Sequence, residues 1–208
     1  MVIQMRSDEN GDCVEALTAP CAEFELEDGR SLWVRPVRPD DKARIREGFG
    51  RMSPRNRHLR FFSGIPELTT QMLIAMTEVD GVDRFAWIAL TREDEHDVLV
   101  GVARYVRLDD PLVAEVALTV VDPYQGHGIG RLLLDALVLE ALRAGVTRFE
   151  GQVLTDNLTM RAVLTDVGAR MRFDEPATLH LEIDLPAREQ TLRTTPMYAR
   201  LRRITADP

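Results

Sequence analysis

Apolar residues alternate every second position through much of this chain and switch to helical spacing in a few bounded stretches. Residues 1–20 are polar and acidic without a period, and are predicted to form a flexible arm. Phe24-Glu25-Leu26-Glu27 alternates, Asp28-Gly29 turns, and Leu32-Trp33-Val34 resumes the alternation, which predicts a β-hairpin. Pro36 and Pro39 end it, and Asp40 or Asp41 is predicted to open a helix through Phe49. Ser53-Pro54 has the form of an N-cap followed by proline in the first turn. Thr69 or Thr70 caps a third helix carrying Met72, Leu73 and Met76.

Strands are predicted over residues 85–90, 98–106 and 113–121, with short acidic connections that imply an antiparallel meander. A long helix follows Gly130, apolar on most of its surface and closed by Ala144-Gly145. A strand at 148–154 completes a parallel, right-handed strand–helix–strand crossover. A helix at about 157–167 ends at Gly168, and strands near 170–173 and 178–183 finish the sheet. The fold class is therefore α/β, with a mixed, mostly antiparallel central sheet flanked by helices. The division is an arm at 1–20, one domain at 21–186 and a basic tail at 187–208.

The chain has 208 residues, enough for one domain with a real core, and its 45% hydrophobic and 29% charged content is that of a globular protein. A net charge of −8 argues against a nucleic-acid partner. Lys42 is the sole lysine. Cys13 and Cys21 lack metal-ligand spacing, and no histidine has it either, so no metal is expected. There is no apolar run of membrane-spanning length and no basic-then-apolar leader, so a cytoplasmic location and no membrane partner are expected by default.

The chemistry concentrates in Thr119-Val120-Val121-Asp122-Pro123-Tyr124-Gln125-Gly126-His127-Gly128-Ile129-Gly130-Arg131. A β-branched run meets alternating glycines and then a long helix. Such a junction aims backbone N–H groups and a positive helix end at one spot, which suits a phosphate. It is not a P-loop, because Arg131-Leu132 stands where Lys-Ser/Thr is needed. It is not a dinucleotide fingerprint, because Leu133 stands where the third glycine is needed.

Gln125-x-x-Gly128-x-Gly130 resembles the acetyl-CoA pyrophosphate loop of the GNAT superfamily of N-acetyltransferases, Gln/Arg-x-x-Gly-x-Gly/Ala. The order of elements from Trp33 to Ile183 is similar to that whole fold, and Asn157 matches the asparagine that opens the family's next helix. Residues 34–41 and 53–62, Ala114-Glu115-Val116-Ala117 and residues 155–161 resemble the acetyltransferase domain of bacterial protein lysine acetyltransferases. Some of those carry a cyclic-nucleotide domain, for which this chain has no room.

The resemblance implies acetyl-CoA as co-substrate and a primary amine as acceptor, foremost a protein lysine. Gln125, Gly126, His127, Gly128, Ile129, Gly130 and Arg131 would hold the pyrophosphate. Thr119, Val120 and Val121 would meet the pantetheine arm, and Asn157 the same arm or its loop. A lysine amine, with a reference pKa of about 10.4, must lose a proton before it attacks. Glu115 is the expected base: it shares a strand face with Ala117 and Thr119, as a lone carboxylate among apolar neighbours. The family's frequent tyrosine acid is replaced here by Leu164. A small-molecule amine acceptor and a non-catalytic acyl-CoA-binding module are the alternatives. Glu78, Asp80 and Asp83 read as a solvated acidic loop rather than an amine lure.

Overall fold

The computed structural model describes residues 22–26 and 28–186; both cysteines, the predicted arm and the basic tail lie outside them. Strands β1 (Ala22–Glu25) and β2 (Ser31–Pro36) form the predicted hairpin. Helices α1 (Lys42–Gly50), α2 (Pro54–Phe61) and α3 (Thr70–Thr77) follow. Then come β3 (Arg84–Glu93), β4 (His96–Arg107) and β5 (Val113–Val120). Helix α4 (Ile129–Arg143), β6 (Arg148–Leu154), α5 (Leu158–Asp166), β7 (Arg170–Glu175) and β8 (Thr178–Asp184) complete the order.

The eight described strands make one sheet, ordered β1-β2-β3-β4-β5-β6-β8-β7. All neighbours are antiparallel except β5 and β6, which are joined through α4. Helix α4 packs on β3, β4 and β5, and α1 packs on β4. The apolar stripe of α4 is fully sequestered at Leu132, Leu133, Ala136, Leu137 and Ala141. Burying each such leucine is worth about 1.5–3 kcal/mol. Phe85, Trp87, Tyr105 and Phe149 form a chain of ring contacts running from β3 through β4 to β6.

The caps follow the sequence. Ser53 accepts from the Asn56 N–H at 3.1 Å, and Thr69 accepts from the Met72 N–H at 3.2 Å. Asp41 stands at the N-cap position of α1, where a helix start is expected, but its side chain makes no cap bond to that helix: it ends a 3₁₀ turn at Pro39–Asp41 and is fully buried against Arg35. Two hydrogen bonds of 2.7 Å join the Arg35 guanidinium to both Asp41 oxygens, and the Arg38 N–H adds a third at 2.8 Å. Burial acts to raise the Asp41 carboxyl, but these donors outweigh it and hold the group below its usual range.

Two irregularities shape the neighbourhood of the site. Ala89 pairs with Gly101 and Leu90 with Leu99, so Val100 is an extra residue that bulges β4. Strands β5 and β6 pair over only three positions, Val113–Arg148, Ala114–Phe149 and Glu115–Glu150. Beyond Glu115 the two strands part, and the sheet opens.

Candidate functional site

The opening between β5 and β6 is the centre of the site. The Val121 N–H donates to the Val100 carbonyl at 2.8 Å. In an antiparallel ladder that phase turns the backbone groups of Leu118 and Val120 the other way, toward the side that β6 has left. The Val120 carbonyl there accepts from Asn56 Nδ2 and from Gln125 Nε2, each at 3.0 Å.

After β5 the chain makes a 3₁₀ turn, Asp122–Tyr124, and then the glycine loop. Gly126 and Gly128 have φ of +84° and +78°, a left-handed geometry that costs other residues about 1–2 kcal/mol. Gly128 is the N-cap of α4 and supplies no side-chain cap. Leu132 is the first residue whose N–H bonds back into the helix, to Gly128 at 3.0 Å. The N–H groups of Ile129, Gly130 and Arg131 therefore have no intrahelical acceptor, and the positive end of a fifteen-residue helix stands behind them.

A cavity of about 640 Å³ lies in front of this helix end. Gln125, Gly126, Gly128, Ile129, Gly130 and Arg131 line one side of it, and Thr119 and Val120 line its floor. Asn157 and Met160 lie across from them. Donors, helix dipole and volume fit a phosphorylated, elongated ligand such as the pyrophosphate and pantetheine of CoA. Asn157 is the N-cap of α5, accepting from the Met160 N–H at 3.1 Å.

Two predicted residues, His127 and Val121, sit differently from expectation. His127 is absent from the cavity lining. Val121 has its N–H committed to β4, and its side chain lines a separate small cavity. Arg131 lines the main cavity but also holds Asp135 at 2.9 Å, so its charge is shared.

Glu115 lines an adjoining cavity of about 290 Å³, which shares Leu59, Arg60, Leu118, Asn157 and Met160 with the larger one. Its setting corrects the sequence reading. Glu115 is exposed, and it is not a lone charge: it acts electrostatically on Arg60 and Arg104. Both arginines come from other elements, so strand alternation carries no trace of them. Leu164 is buried and lines the same cavity.

Sequence reasoning also missed the support beneath the loop. Asp122 accepts from the Ser53 N–H and from Asn56 Nδ2, each at 3.0 Å, and from the Ser53 hydroxyl. Burial acts to raise the Asp122 carboxyl; the Ser53 and Asn56 donors outweigh it and hold the group low. Tyr124 is fully buried, donates to Glu93, and accepts from Arg51 at 3.1 Å. The Ser53-Pro54 cap signal marked α2 but not its tie to the cofactor loop.

The acidic loop is neutralised locally. Glu78 pairs with Lys42 at 2.8 Å, Asp80 with Arg84 at 3.0 Å, and Asp83 with Arg107 at 2.8 Å. Among the described residues no helix is long and apolar enough to cross a membrane.

An open sheet with a three-pair parallel junction, a capless glycine turn at the mouth of the opening and a carboxylate beside it come together at one place, in a form that fits a CoA-like ligand. The chain belongs to the acetyltransferase (GNAT) family, whose sequence model matches residues 56–169. That class comprises acetyl-CoA-dependent N-acetyltransferases. Within it, the chain is 36% identical over 163 residues to acetyltransferase Pat of Mycolicibacterium smegmatis, covering 78% of this chain and 48% of that protein. It thus spans about half the length of that relative. It is 33% identical over 158 residues to acetyltransferase PA5475 of Pseudomonas aeruginosa, covering 74% of this chain and 85% of that one. The crystal structure of the GNAT domain of S. lividans PAT superposes with a TM-score of 0.72 at 30% identity, covering 79% of this chain and 97% of that one.

Proposed function

We propose that the protein transfers an acetyl group from acetyl-CoA to a lysine side chain of a protein, by direct attack within a ternary complex, with Glu115 as general base. The observation that carries this reading is the position of Glu115. It stands at the last paired position of β5 and β6, in a cavity that opens onto the cofactor cavity.

Acetyl-CoA supplies a thioester whose carbonyl carbon takes the amine nitrogen and whose sulfur leaves as thiolate. The protein's own residues do the rest. Gln125 to Arg131 and the end of α4 hold the pyrophosphate. Thr119, Val120 and Asn157 align the pantetheine arm. The N–H groups of Leu118 and Val120, turned toward the opening, are the donors available to a developing oxyanion. Glu115 accepts the proton that the lysine ammonium must lose, directly or through a water, and its exposure lets that proton pass on to solvent. A thiol with a reference pKa of about 8.5 leaves with little help, so Leu164 in place of tyrosine is no obstacle. The relatives named Pat and PA5475 support acetyl transfer.

The test is acetyl-CoA-dependent thiol release against a panel of lysine-bearing proteins and small amines, with Glu115→Gln in parallel. Release with a protein, lost in the variant, supports the reading. Release with small amines alone moves the acceptor. Tight CoA binding without release by any acceptor favours a binding module.

A further inference from the structure

Arg60 lies in the last turn of α2, and Arg104 stands on β4 opposite Ala117 of β5. Both are half-buried. Among the described residues neither guanidinium has an ion-pair or hydrogen-bond partner, and the one ring contact of Arg60 is Phe61, 5.0 Å away. Their neighbours behave otherwise: Arg35 pairs with Asp41, Arg51 with Glu93, Arg84 with Asp80 and Arg107 with Asp83. Glu115, two residues from Ala117 and so diagonal to Arg104, acts on both charges from beyond ion-pair distance. Two cations and one carboxylate leave an uncompensated positive charge. Burial and the like charge of Arg104 push Arg60 down to about 10, which still leaves it cationic at neutral pH.

A small cavity of about 50 Å³ brings the two arginines together beneath α1–α3. Its other walls are apolar, among them Phe49, Met52, Leu68 and Met76. It meets the cofactor cavity at Thr119 and Arg60, and the Glu115 cavity at Ala117 and Arg60. Desolvated guanidinium groups call for a counter-anion, and their donor fork matches a carboxylate.

We propose that Arg60 and Arg104 bind a carboxylate, carried on a short aliphatic chain by one of the two substrates, beside the reacting centre. The inference rests on the acyl-transfer reading above. The apolar wall takes the chain and the guanidinium pair takes the charge. The carboxylate has two possible sources: an acid close to the acceptor amine, or the free end of a dicarboxylic acyl thioester.

The test uses three pairs that differ in one carboxylate. They are lysine peptides with Glu or Gln beside the lysine, γ-aminobutyrate against butylamine, and succinyl-CoA against butyryl-CoA. Wild type, Arg104→Gln and Arg60→Gln are compared by kcat/KM, and the two thioesters also by calorimetric affinity, which needs no turnover. The expected result is a preference for the charged member of an acceptor or donor pair, about tenfold or more, that falls within about twofold of parity in Arg104→Gln. The pair that shows it names the source. Arg60→Gln repeats the test should Arg104→Gln fail to melt cooperatively. No preference in any pair, or a preference that survives both substitutions, overturns the proposal. If no lysine peptide is acetylated while another pair still discriminates through the arginines, the lysine reading fails and the carboxylate site stands.

Discussion

Asn56 holds the Val120 carbonyl and the Asp122 carboxylate with one amide nitrogen, 3.0 Å from each. Asn56 belongs to α2, Val120 ends β5 and Asp122 opens the 3₁₀ turn after it, so this amide fixes the acceptor-side helix to the cofactor loop. Asn56→Leu removes both bonds and leaves Asp122 short of a donor. The expected cost is about 1–3 kcal/mol, or several degrees in Tm at about 2–4 °C per kcal/mol. Acetyl-CoA affinity should fall as well. Thermal melts with and without acetyl-CoA check both, and a lower Tm with unchanged affinity would confine Asn56 to stability.

Glu115→Gln keeps the side-chain shape and removes the base. We expect kcat to fall about 10²–10⁴-fold while acetyl-CoA affinity is retained. Steady-state kinetics beside calorimetry separates the two quantities. A parallel loss of binding and turnover would remove the base assignment.

The loop glycines are not equivalent. Gly128 sits at φ +78°, so Gly128→Ala forces a left-handed alanine at the helix N-cap, at a cost of about 1–2 kcal/mol. A Cβ on Gly130 would meet Leu118 at 3.6 Å and Val120 at 3.7 Å, ordinary contacts. Gly128→Ala should weaken acetyl-CoA binding about tenfold, and Gly130→Ala should leave it within about twofold. Titration calorimetry on both variants decides, and equal losses would contradict this geometry.

Asp41 makes stability depend on acid pH. Its folded carboxyl ionises below the unfolded value of 3.8, so the unfolded chain binds the proton more tightly. The Arg35–Asp41 contribution is present above that value and is lost as pH falls through the lower folded one. Asp41→Asn should cost about 3–5 kcal/mol at neutral pH and flatten the acid limb of stability. Urea denaturation from pH 7 to 3 measures it.

Much of the frame was legible because it is local. The strand at Arg148–Leu154 matches the predicted limits, and the Ser53 and Thr69 caps fall where Ser/Thr precedes a helical period. The turn at Asp94 and Glu95, both at positive φ without glycine, gave no such signal beyond acidity. Glu115 could be placed on its strand face, yet its setting depends on Arg60 and Arg104, which arrive from α2 and β4. Asp41 was legible as a helix start, but its burial against Arg35 was not, because Arg35 lies on β2. What escaped the sequence is what tertiary packing alone brings together.

Arg60 borders all three cavities. Its side chain is a shared wall, so no change there can be private to one ligand. Directed variation for a new acceptor at Arg60 would also disturb the grip on the donor. Arg104 lines only the small apolar cavity, so a change there leaves the cofactor cavity wall intact.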